Sequence, residues 1–150
     1  MNPKAEAFRK YLDVKGLRAF QSEEIPDDEF QTVVFRSFAD VHGARLPVAV
    51  ILDTSIYGII RFLVAPKAVQ EETQEELLAF INGYNKKYKS FKYYLDDEGN
   101  LVLDTCLLYK DDAVDGDMIY TMFDVILHHL EESYPKLMKI IWAEQPPAWQ

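Results

Sequence analysis

Among 150 residues there is one cysteine. An internal disulfide and a cysteine-cluster metal site are therefore both excluded. Long apolar runs are missing too. Val48–Leu52 and Ile59–Val64 are strand-sized, and Arg61 interrupts the second. Neither approaches the roughly 20 residues of a membrane span. Positive charge is in deficit: 16 Lys+Arg stand against 25 Asp+Glu, a formal net charge of -9. Phosphates would be repelled, which argues against general duplex binding and against a polybasic membrane clamp. The first residues, Met1-Asn2-Pro3-Lys4-Ala5-Glu6, lack the apolar core of a signal peptide. A cytoplasmic protein is the resulting expectation, and a single unpaired thiol fits it. No repeat period is visible, no Gly/Ser-rich or Pro-rich linker divides the chain, and no GxSxG, P-loop, GxGxxG or HExxH is present.

What is present is apolar and aromatic: 49% of the chain is hydrophobic, and Phe, Trp and Tyr make up 13% of it. That excludes a disordered chain and fits one domain burying roughly two-thirds of its unfolded surface. We expect one domain over 1–141 and a tail over 142–150. Asn2-Pro3 reads as a helix start, with Ala5, Phe8, Tyr11 and Leu12 at helical spacing and Gly16 as the stop. Residues 18–25 are weakly strand-like. Gln31–Ala39, Leu46–Leu52 and Gly58–Ala65 read as strands, with His42-Gly43 as a turn. Thr73-Gln74-Glu75-Glu76 has capping-box spacing, and Leu77, Phe80, Ile81, Tyr84 and Tyr88 mark one helical face. A hairpin of Phe91–Leu95 and Leu101–Tyr109 follows, turned by Asp96–Gly99. A long helix from about Asp117 to Lys139 ends the pattern, and Pro135 should kink or split it near Tyr134. The order α-β-β-β-β-α-β-β-α predicts an α+β fold: an antiparallel sheet with helices packed mainly on one face.

Chemistry-bearing clusters are few. His128 and His129 are adjacent and point about 100° apart on a helix, so they do not chelate one metal. His128 shares a face with Asp124 and Glu132, which reads as a solvated charged face. The acidic turns Asp111–Gly116 and Asp96–Gly99 lack the oxygen positions of a calcium loop. Strand alternation puts Cys106 on the same face as Val102 and Leu108, which predicts a packed thiol. The block Tyr84–Tyr94 interleaves Lys86, Lys87, Lys89 and Lys92 with aromatics. Single strands are bound by such patterns, but Tyr84 and Tyr88 fall on the buried stripe, so a core with solubilising lysines is the better reading. Trp142 and Trp149 are placed to dock on a partner or back on the domain.

From Leu77 to Leu108 one pattern recurs in a known family. Ile81-Asn82-Gly83-Tyr84-Asn85 ends a helix, then come Phe91-Lys92-Tyr93-Tyr94-Leu95, Asp97-Glu98-Gly99 and Leu101-Val102-Leu103. This resembles the YbjN-like family, whose domains look like the type III secretion chaperone fold. The resemblance implies a non-enzymatic domain that holds or regulates proteins, often as a dimer. It brings no catalytic residue, no cofactor and no metal. Asn82 and Asn85 match its pattern, and their amides are suited to bond exposed backbone at the helix–hairpin junction. With them, Phe91, Tyr94, Trp142 and Trp149 are the candidate interaction positions. The apolar strands over 46–65 offer more surface than one helical layer covers, so the remainder is a candidate client or dimer face. The rival reading is a small-molecule site or enzyme. It requires a deep aromatic-lined pocket on which Arg36, Arg61, Asp104 and tyrosines converge.

Overall fold

A computed structural model describes residues 1–142. The elements are α1 (Pro3–Lys15), β1 (Gln21–Glu24), β2 (Val33–Val41), β3 (Ala44–Leu52), β4 (Tyr57–Ala65), α2 (Gln74–Lys87), β5 (Lys92–Leu95), β6 (Leu101–Leu108) and α3 (Gly116–Ile141). This is the order expected from the sequence. The six strands form one antiparallel sheet in the order β1-β2-β3-β4-β6-β5. No helix among the described residues is long and apolar enough to cross a membrane. The tail beyond Trp142, Trp149 included, lies outside the described residues.

Alternation along each strand builds a core on one face. Phe35, Val50, Ile60 and Thr105 align across four strands, as do Val48, Phe62, Leu103 and Tyr93. All eight are buried. Each helix meets this same face. Phe8 of α1 packs edge-on to Phe35 at 4.9 Å, Phe123 of α3 lies 5.5 Å from Phe62, and Tyr84 of α2 lies 5.9 Å from Tyr93.

Local chemistry fixes the helix positions. Asn2 accepts from the Ala5 amide at 2.8 Å, as an N-cap should. The same side chain donates to the carbonyls of Gln31 and Leu52 at 2.8 and 2.9 Å, tying α1 to the end of β3 and to the segment just before β2. Lys4 Nζ donates to the Ser55 and Tyr57 carbonyls and holds the β3–β4 loop. Gly116 is set by close approach: a Cβ there would collide with the Tyr11 ring.

Two expectations are corrected. The capping box at Thr73 does not form. Thr73 already has near-helical backbone (φ -115°, ψ -6°), and the Gln70 carbonyl takes the amides of both Thr73 and Gln74. Thr73 Oγ1 is left buried without a partner. Nor does Pro135 split α3, which runs unbroken to Ile141. Proline removes the amide that would bond the carbonyl four residues back, that of Glu131. The structure supplies a substitute. His42 and Gly43 form the two-residue β2–β3 turn with φ of 49° and 79°, the left-handed pair that such hairpins require. From this tip His42 Nε2 donates to the Glu131 carbonyl at 2.5 Å. A hairpin tip therefore closes the gap that the proline opens.

This coupling is testable by a double-mutant cycle in urea. His42→Ala should cost about 1 kcal/mol in the native background. It should cost much less beside Pro135→Ala, whose restored amide serves Glu131. Equal costs in the two backgrounds would contradict the assignment.

Candidate functional site

The second face of the sheet carries no helix among the described residues. Across its middle run Gln21, Arg36, Ala49, Arg61, Asp104 and Lys92, one from each strand. Of its apolar residues only Val34 and Val102 are buried; Phe38, Tyr57 and Leu108 are at least half exposed. Four of the chain's five arginines gather here. Arg36, Arg45 and Arg61 project from β2, β3 and β4, and Arg18 comes from the segment before β1. They rim an open groove of about 520 Å³ whose floor is Phe38, Pro47, Ala49 and Leu63. Arg36 and Arg61 flank Ala49 in register, two strands or about 10 Å apart. The small Ala49 side chain leaves the space between them free.

The four arginines differ in what holds them. Arg61 is bidentate on Asp104, at 2.9 and 2.8 Å, and the Tyr94 hydroxyl donates to the same carboxylate at 3.0 Å. That fork geometry raises the Arg61 pKa further and fixes its plane. Burial, and then Asp104, push the Tyr94 phenol up. Arg36 meets Glu23 at 3.2 Å in a solvent-exposed pair, the kind that contributes little. Arg45 lies over the Phe38 ring, 4.2 Å from its centroid, and forms no ion pair with Asp40 opposite. Arg18 forms no ion pair among the described residues.

The sequence-derived candidates fall in several places. Asn85 donates to the Tyr93 carbonyl at 3.0 Å and accepts from the Tyr93 amide at 2.7 Å. Its amide group thereby stands in for a strand partner on the outer edge of β5. Asn82 is exposed, and Phe91 is core. Tyr94 reaches the open face, while Trp142 is partly exposed at the end of α3. Cys106 is not packed. It is exposed on the open face, because no helix covers that side of β6. The family-like motif therefore maps mainly to the β5 edge. Arg36, Arg61, Asp104 and Tyr94 do gather on one face, but only Phe38 among aromatics lines the groove, which is open and not deep. Arg18 and Arg45 were missed, although strand alternation places Arg45 opposite the core positions of β3.

A family model described as "YbjN: Putative bacterial sensory transduction regulator" matches residues 6–138. The chain belongs to the YbjN family. No curated protein matches it. The matched span takes in the whole sheet, so the open face is carried by the family domain itself in this chain.

The aromatic block on the helix side is an interior, not a second site. Rings of Tyr84, Tyr88, Phe91 and Tyr93 surround His129 at 4.8, 4.7, 4.6 and 5.7 Å. The Tyr93 hydroxyl pairs with His129 Nε2 at 2.7 Å. His128 is exposed beside Asp124 and Glu132, and no metal-binding group of three ligands occurs among the described residues. Burial lowers the His129 pKa from 6.5 to about 4, while Glu132 acts weakly the other way. The unfolded chain takes up a proton near pH 6.5 and the folded chain only near 4. Stability from this group is thus complete above pH 6.5 and falls as pH drops through that window. The full loss is on the order of 3 kcal/mol. In chemical denaturation, His129→Phe should flatten the slope of stability against pH between 6.5 and 4. A slope identical to that of the native protein would contradict the burial of a neutral His129.

Proposed function

We propose that this YbjN-family chain is a non-enzymatic regulatory module that binds a protein partner on the open face of its sheet. The observation that carries the reading is the one-sided layering among the described residues: six strands, three helices, and all three helices on one face. The 43 strand residues, each covering about 4.8 Å by 3.4 Å, give a face of roughly 700 Å². A standard protein interface takes about 800 Å² from each partner. The face is therefore the right size, and its exposed apolar floor with a polar rim has the anatomy of such an interface. The family's description as a regulator supports the same reading.

A second copy is the poorer occupant. A two-fold contact on this face would bring arginine rim to arginine rim, and two of the face's acids, Glu23 and Asp104, are already engaged. A different protein, offering acid, fits better.

The test is affinity capture from cell extract followed by mass spectrometry. Ala49→Glu places a carboxylate between Arg36 and Arg61 and fills the groove without touching the core. It should abolish recovery of a stoichiometric partner that the native protein recovers. Lys136→Glu on the helix side should leave recovery intact. A partner retained by Ala49→Glu would overturn the reading.

A further inference from the structure

The groove has a wall that is itself a strand edge. β1 pairs with only four residues of β2, Val33 to Arg36, and stops. β2 continues through Ser37 to Val41, bonded on that stretch to β3 alone. The break has a cause. Phe20 turns toward the helices and packs on Phe8, Tyr120 and Phe123, drawing the chain before β1 away from β2.

Register shows which groups are left over. A two-residue hairpin makes its closing pair, Val41 and Ala44, a hydrogen-bonded pair. Alternation then bonds Ala39 and Ser37 to β3 as well. The amides and carbonyls of Phe38 and Asp40 point outward, and no other backbone hydrogen bond among the described residues takes them. Outward from them stand Arg18 and Ala19 on the far wall of the same groove. The gap is an open strand slot with arginines at its mouth.

We propose that this slot receives an extended acidic segment of the partner, added as a short strand antiparallel or parallel to Ser37–Val41. The inference rests on reading the open face as a binding surface, and it names the class of partner. Main-chain bonds to Phe38 and Asp40 hold the segment. Side chains two apart on it fall on the open face, where carboxylates meet Arg18 and Arg45, the two groove arginines without an ion pair among the described residues. Charge complementarity argues for acid. A chain of net charge -9 repels an acidic segment elsewhere and admits it where its arginines concentrate. A free phosphate is a poorer fit, because Arg36 and Arg61 are held by Glu23 and Asp104 and the remaining two do not form a clamp.

The experiment is fluorescence anisotropy with a fluorescein-labelled peptide of alternating Glu and Val. Its controls are the Gln–Val analogue, the Glu–Val peptide N-methylated on alternate amides, and inorganic phosphate as competitor. The Glu–Val peptide should bind. The Gln analogue, and the protein with Arg18→Glu and Arg45→Glu together, should bind about tenfold more weakly or worse. Asp40→Pro removes an outward amide that no ladder bond uses and should abolish binding; Asp40→Ala keeps that amide and should not weaken it. N-methylation in the register that faces the edge should abolish binding to the native protein, which holds even if Asp40→Pro fails to fold. Equal binding of the N-methylated peptides, equal binding of the Gln analogue, or displacement by phosphate at peptide concentration would each overturn the proposal. If the peptide fails while Ala49→Glu still blocks partner capture, the strand slot is wrong and the open face stands. If neither result appears, both fall.

Discussion

Coverage is the constraint on which this molecule depends. A six-stranded antiparallel sheet has two faces, and three helices suffice for one. α1, α2 and α3 bring their apolar stripes to the side built from Phe35, Phe62, Leu103 and Tyr93. The other side must meet water with strands whose sequence is partly apolar. The chain solves this with charge at alternate positions: Arg36, Arg45, Arg61 and Asp104 interrupt what would be a continuous sticky surface. In the proposed function, those same arginines select what the face meets.

Most of the layering was legible in the sequence. Period-two alternation in β3, β4 and β6 and the 3.6-residue stripe of α3 are strong signals, so the element order and the one-sided packing followed from them. The errors have physical causes that lie outside local patterning. Thr73 has the spacing of a cap, but its backbone is already near-helical and the Gln70 carbonyl takes the Thr73 amide that a Glu76 side chain would have served. Pro135 should break a helix, yet a hairpin tip 89 residues away in sequence supplies the missing donor. Cys106 shares a face with valine and leucine, and alternation cannot say whether a face is covered. In each case a tertiary contact, or its absence, decided what the local sequence left open.

The site was only half legible. Arg36, Arg61, Asp104 and Tyr94 were recognisable as polar groups on strands, and the register joins three of them in one hydrogen-bonded cluster. Arg18 carries no pattern of its own, since it sits in an irregular segment and reaches the groove only through the fold. Asn85 shows the converse. Its motif is visible in sequence, and in the fold it seals the β5 edge by bonding Tyr93 at both polar groups. One edge of the sheet is thus closed by a side chain, while the β2 edge beyond Arg36 is left unpaired. That asymmetry leaves one side of the molecule for the strand pairing we propose.

The native cysteine gives the most direct measurement of the uncovered face. Cys106 is the chain's single thiol and lies on that face, on β6. Its rate of reaction with a maleimide or a disulfide reagent, followed in the folded protein at neutral pH, reports whether the face meets solvent. The expected result is labelling at a rate close to that of an unstructured model thiol, without denaturant and independent of protein concentration. Labelling only at the rate of global unfolding, or protection that grows with protein concentration, would contradict an open face.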